Sequence, residues 1–310
     1  MANFLIAGQP INKVRLRKIV SWAVVVVLVF LMGRILVRNW REIPFSEFRF
    51  NWICLVLSYL CLFLSFILST VIWINLLKGM SVNIGLFKAM KSIALSQVGR
   101  YAPGRIWSFV GRTELGKNEA IPRTASSLGL ILETELQIIS SSLVFLIAFA
   151  FSYQHWGASL SGSLYLVLTL IPIELLVLHP KVTRVLYRPL FRLFKRELPA
   201  ITLSYGILLY YTLLYAVSWG IGGMGFFLLA KGVYPIPWSL FIPIAGSYPV
   251  AWLIGFISLI TPSGIGIREG VLVVLLSPLL SPPMSVALSL LARVWTTTYE
   301  GICFLIFLKA

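Results

Sequence analysis

Long apolar runs alternate along the chain with short clusters of Lys, Arg, Gly and Pro. The runs are Ile19–Val37, Trp52–Leu77, Ala125–Tyr153, Leu160–Leu178, Ile201–Ala230, Trp238–Ile260 and Met284–Leu308. About 20 apolar residues suffice for a helix to cross a bilayer, so each run predicts a transmembrane helix. A further apolar piece, Val271–Leu280, is too short to span upright and either dips into the membrane or completes an eighth span. The pattern predicts an all-α integral membrane protein, a polytopic bundle of seven or eight helices.

Two apolar stretches do not read as continuous helices. Segment 84–112 is interrupted by Gly99, Pro103, Gly104 and Gly111, and segment 259–270 (LITPSGIGIREG) by Pro262, Gly264 and Gly266. Broken backbone at membrane depth survives only where protein or a water-filled cavity satisfies its polar groups. Each stretch therefore predicts a re-entrant hairpin of two short helices. The first break is surrounded by Arg100, Arg105 and Arg112, the second is followed by Arg268. Paired Gly/Pro-interrupted segments in two halves of a chain point to a transporter's binding site. Helix ends at such breaks offer free N–H groups and Arg adds charge, a combination suited to phosphate. Interfacial loops with snorkelling Arg are the structural alternative.

Composition agrees with the hydropathy: 59% of the 310 residues are hydrophobic and only 12% charged. The net charge of +16 would suggest nucleic acid in a soluble protein. Here the cations sit at the ends of apolar runs, which points to membrane orientation and anionic lipid instead. Segment 78–123 holds eight Lys/Arg and 179–197 holds six, whereas 152–159 holds none. By the positive-inside rule, 1–18, 78–123 and 179–200 are expected in the cytoplasm, with the protein in the plasma (inner) membrane. The chain reads as one transmembrane domain, 1–310, with pseudo-repeat halves of about 1–178 and 201–310 joined by the basic connector 179–200.

Charges inside the runs are candidate site residues, because ionisable groups at this depth face a cavity or a partner. Glu133 and Glu135, two apart, face different sides of one helix. Arg293 and Glu300, seven apart, share a face and could pair with each other, or with Glu133 or Arg268. No metal or cofactor is expected: Cys54, Cys61 and Cys303 lie singly in apolar runs, and His155 and His179 are isolated.

The broken segments resemble the lysylphosphatidylglycerol synthase transmembrane-region family, which includes the flippase half of the multiple peptide resistance factor and its stand-alone relatives. The resemblance rests on Pro103, Gly104 and Arg112 in the first half, and on Pro262, Gly264, Gly266, Arg268 and Glu269 in the second. It covers nearly the whole chain and implies lipid handling. The synthase enzymes of the family carry a further cytosolic aminoacyltransferase domain. Residues 1–310 include none, so aminoacyl transfer is not expected of this chain.

Three motif matches carry no chemistry. GRTELGKN (111–118) lacks the Ser or Thr that follows the P-loop Lys. GIGGMG (220–225) lies inside an apolar run and reads as close helix packing. RPLFRLFKR (188–196), between two runs, reads as an interfacial segment.

The expected function is movement of an anionic or polar-headed lipid, or a lipid-linked glycan, between leaflets. Arg100, Arg105, Arg112, Arg268 and Arg293 would line the path, with Glu133, Glu269 and Glu300 holding those cations or meeting a cationic head group. Partners would be membrane lipids, anionic or polyprenyl-linked, and enzymes of glycan or lipid biosynthesis. A non-transporting scaffold of such an assembly is one alternative. A glycosyltransferase on lipid-linked sugar is another, disfavoured because the chain has no Asp and its outer loops offer only Glu42 and Glu47.

Overall fold

The computed structural model describes residues 49–101, 106–118, 121–156, 171–193, 197–199, 202–258 and 262–309. All regular structure among them is helical. Helix α1 (Trp52–Lys78) leads to a short pair, α2 (Leu86–Gln97) and α3 (Ile106–Asn118). Then come α4 (Arg123–Phe151), the connector helix α5 (Pro180–Leu193), α6 (Tyr205–Val233), α7 (Phe241–Ile257), the short α8 (Ile267–Leu276) and α9 (Pro282–Lys309).

Five of these are long and apolar enough to cross a membrane: α1, α4, α6, α7 with the turn from Trp238 before it, and α9. They match five of the seven apolar runs to within a few residues. The run Ile19–Val37 lies outside the described residues, and so does most of Leu160–Leu178, of which 171–177 is helical. At 1.5 Å per residue α1 measures about 40 Å, enough for the hydrocarbon core, whereas α8 measures about 15 Å.

Local signals start the helices where polar groups are available. Asn51 Oδ1 accepts from Cys54 N at 3.2 Å to cap α1, and Ser204 Oγ accepts from Ile207 N at 3.3 Å to cap α6. Helix α9 begins on Pro282–Pro283, where a missing N–H costs nothing.

Helices α4, α6 and α7 pack against one another, α1 lies along α6, and α8 bridges α7 and α9. Small residues permit these approaches. Gly222, Gly223 and Gly225 of GIGGMG are buried, and a Cβ at Gly223 would strike the Ala245 carbonyl of α7. The motif is thus a helix-packing surface. Ser218 of α6 hydrogen-bonds Ser65 at 2.8 Å and Ser69 at 3.1 Å on α1, polar glue of the kind used between membrane helices. Gly223→Ala should therefore lower stability by about 1–3 kcal/mol through forced separation of α6 and α7. Gly220→Ala, whose Cβ would meet nothing within 4 Å, should leave stability unchanged or raise it. Thermal unfolding of the two variants in detergent distinguishes them, and equal melting would contradict this packing.

Residues 111–117 of GRTELGKN lie inside α3, so no phosphate-cradling loop forms there. Of RPLFRLFKR, residues 188–193 belong to α5, and 194–196 lie outside the described residues. Helix α5 carries exposed Val185, Leu186 and Leu193 among its cations. It is anchored by Tyr187, whose hydroxyl donates to Glu135 of α4.

Candidate functional site

The two broken segments meet in space. After α2, Val98–Tyr101 forms one 3-10 turn, and this turn touches the 3-10 turn Pro262–Gly264 that follows α7. The sequence around the second turn explains its shape. Ser263, Gly264 and Gly266 adopt φ of 53°, 66° and 83°. A Cβ at Gly264 would come within 2.8 Å of the Gly255 carbonyl, so only glycine allows the turn to lie against α7. At Gly266 the positive φ starts α8, and Glu269 then caps it by accepting from Gly266 N at 2.5 Å. Glu269 Oε1 also lies 3.7 Å from Arg293 Nη1 of α9, and the same nitrogen donates to Ser263 O at 3.3 Å. Glu269 and Arg293 therefore lock the turn from behind.

In front of the turns is a cavity of about 290 Å³, bounded by parts of α1–α4 and α6–α9 and by both 3-10 turns. Five sequence-predicted residues line it: Arg100, Arg112, Glu133, Arg268 and Glu300. Gly264, Gly266, Glu269 and Arg293 do not line it, and they shape and brace the second turn. Pro262 belongs to the turn. Pro103, Gly104 and Arg105 lie outside the described residues.

The cavity charges are organised as pairs. Arg112 Nη1 is 2.7 Å from Glu133 Oε2, with both residues more than nine-tenths buried, and the guanidinium lies 4.1 Å over the Trp73 ring. Gln137 Nε2 donates to the other Glu133 oxygen at 3.3 Å. Arg100 Nη1 donates to Glu300 Oε1 at 2.8 Å. Helical spacing leaves the partners of Arg293 and Glu300 open; the structure brings Glu269 to Arg293 and Arg100 to Glu300, because the shared face of α9 is met by two different segments. Glu133 and Glu135 do face different sides, the cavity and the connector.

Arg268 differs from the other two arginines of the wall. Its guanidinium rests 4.9 Å over the Tyr248 ring, and no carboxylate pairs with it among the described residues. Its Nη2 is buried without a hydrogen-bond partner, as are Nε and Nη2 of Arg112. Buried donors without acceptors are costly, so these atoms have hydrogen-bonding capacity left to offer. Counting the described lining residues, three arginines face two glutamates, a surplus of one positive charge.

Several wall residues escape sequence reasoning. Ser65, Ser69, Ser96, Thr134 and Gln137 are unremarkable polar residues in apolar runs, and Trp219, Tyr248 and Trp252 are ordinary membrane-helix aromatics. The only hint is polarity within otherwise apolar helices. Among the described residues, no three His, Cys, Asp or Glu side chains cluster as a metal site.

With all regular structure among the described residues helical, and five helices long and apolar enough to cross a membrane, the fold defines an integral membrane protein, and its two broken segments meet at a charged cavity. The chain belongs to the lysylphosphatidylglycerol synthase TM region family, whose model matches residues 18–299. Comparison with curated proteins finds no match.

Proposed function

We propose that the protein translocates a lipid, guiding an anionic or polar head group between leaflets while the acyl or prenyl tails stay in the bilayer. The observation that carries this reading is the meeting of the two helix breaks at a cavity with unpartnered, buried arginine donors. Moving a phosphate through hydrocarbon costs several kcal/mol per unmet polar group, and such donors replace the lost water. A volume of about 290 Å³ suits a head group and excludes a pair of long tails.

In this reading α2–α3 and α7–α8 are re-entrant hairpins within a bundle of seven or eight spans, the protein sits in the inner membrane, and no reaction is catalysed. Biosynthetic enzymes would supply or consume the cargo. Purified protein in proteoliposomes should accelerate leaflet exchange of a labelled anionic lipid over protein-free vesicles. An unchanged rate across the common anionic lipids and lipid-linked glycans would defeat the proposal.

The loop charges add an orientation. With Cys54, Cys61 and Cys303 replaced, a cysteine at exposed Lys181 should resist an impermeant thiol reagent in intact cells. One at exposed Tyr153 should react with it. The reverse pattern would invert the topology.

A further inference from the structure

The connector helix α5 presents three separate faces. Thr183, Tyr187 and Phe191 follow one another at four-residue spacing and turn inward. Thr183 and Phe191 are buried, Thr183 Oγ1 donates to Val177 O at 2.9 Å, and Tyr187 donates to Glu135 of α4. Lys181, Arg184, Arg188 and Arg192 form a second stripe at spacings of three and four, and all of them are exposed. Val185, Pro189 and Leu193 form a third, with Leu186 beside it, and Val185 and Leu193 are 74% and 76% exposed. Arg184, Arg188 and Arg192 are each followed directly by a residue of the third stripe, so the two outer stripes run side by side.

Packing places this helix at a membrane boundary. Directly before α5, the His179 ring lies 5.0 Å from that of Tyr205 in the first turn of α6. Thr202, just ahead of α6, donates through N and Oγ1 to Gly79 O, just past the end of α1, at 3.0 and 2.8 Å. One spanning helix thus ends, and another starts, at the level where α5 begins. An apolar stripe beside a cationic one is the build of a helix that lies in the bilayer interface.

The charges select the kind of interface. Residues 180–193 include no acid, and among the described residues no carboxylate pairs with the four cations. A leaflet of anionic lipid attracts each Lys or Arg held near its surface, and a zwitterionic one lacks that attraction. An acidic soluble partner would account for the cations alone, whereas an anionic leaflet accounts for both stripes.

We propose that α5 is a docking surface for the anionic phospholipid head groups of the leaflet at this end of α1 and α6. The apolar stripe enters the acyl boundary, and Lys181, Arg184, Arg188 and Arg192 hold lipid phosphates beside it. No described residue of α5 lines the cavity, so this surface is separate from the candidate path and does not depend on translocation.

Purified full-length protein would be given equimolar phosphatidylglycerol and phosphatidylcholine, and retained lipid counted by native mass spectrometry. Phosphatidylglycerol should be retained in excess by about fivefold or more. Replacing Lys181, Arg184, Arg188 and Arg192 together by Gln should remove most of that excess. Replacing the three arginines by Lys keeps the charge, should keep most of the excess, and guards against loss through misfolding. Arg268→Gln, in the cavity, should leave most of it. An excess unchanged in the four-Gln variant, or one abolished by Arg268→Gln alone, overturns the proposal.

A spin label on Val185→Cys, with Cys54, Cys61 and Cys303 replaced, reads the docking directly. In phosphatidylglycerol vesicles it should collide mainly with dissolved oxygen, and in phosphatidylcholine vesicles more with an aqueous nickel chelate. A label facing water in both overturns the proposal. Absence of leaflet exchange alongside the expected lipid excess and label contrast removes the translocator reading and leaves this surface standing.

Discussion

Glu133→Leu is expected to be the most destabilising single substitution in the cavity wall, costing about 3–5 kcal/mol. Arg112 and Glu133 are 7% and 6% exposed and stand 2.7 Å apart. Removing the carboxylate strands a guanidinium that already has two buried nitrogens without partners. Arginine cannot shed its proton at any accessible pH, so the orphaned charge has no escape except local unfolding.

Arg112→Leu is expected to cost less, because a stranded carboxyl can take up a proton and become neutral. It also keeps the hydrogen bond from Gln137. The double replacement Arg112→Leu/Glu133→Leu should recover a large part of the loss, since exchanging a buried ion pair for apolar groups is often close to neutral. Thermal unfolding of the three variants in detergent measures the order. Equal stability of both single variants and the parent would mean that the pair is hydrated rather than buried.

Arg268→Gln is expected to leave the fold intact and slow leaflet exchange of an anionic lipid by about ten- to a hundredfold, as loss of a charge-assisted hydrogen bond worth ~1.5–3 kcal/mol requires. Its folded-state contact is the Tyr248 ring, so substitution orphans no carboxylate among the described residues. What is lost is the surplus charge of the cavity. Arg268→Lys should restore the charge but not the planar fork, and so recover only part of the rate.

Adding Arg112→Gln to Arg268→Gln should slow exchange by less than the product of the single effects, because residues serving one cavity couple. Arg293→Gln makes the contrast. Arg293 braces Ser263 and Glu269 behind the turn and does not line the cavity, so its loss should appear first as lowered stability. Exchange at the parent rate in Arg268→Gln, with normal folding, would remove that residue from the path.

The comparison of Arg112 and Arg268 also shows how far sequence reading reaches. Both follow a Pro/Gly break, and the linear pattern treats them alike. In space one is locked to Glu133 under Trp73, while the other rests on Tyr248 with no carboxylate paired to it among the described residues. For that reason alone, loss of Arg112 is expected to lower stability as well as exchange, and loss of Arg268 to lower exchange without lowering stability.

The five described spans, the break at 262–266 and the family were legible from sequence because their causes are local. A run of apolar residues needs lipid or protein wherever it lies, and φ of 66° and 83° at Gly264 and Gly266 excludes most side chains regardless of neighbours. The separate faces of Glu133 and Glu135 followed equally from helical periodicity. Only the tertiary structure decided which carboxylate meets which arginine. Arg100 and Glu300 are 200 residues apart, and helical spacing on α9 left the partner of Glu300 open. The aromatic rings of α6 and α7 and the polar residues of α1, α2 and α4 became one wall only when those helices closed together. Periodicity determines the face on which a side chain lies, but the element opposite that face is set by helix packing over the whole bundle.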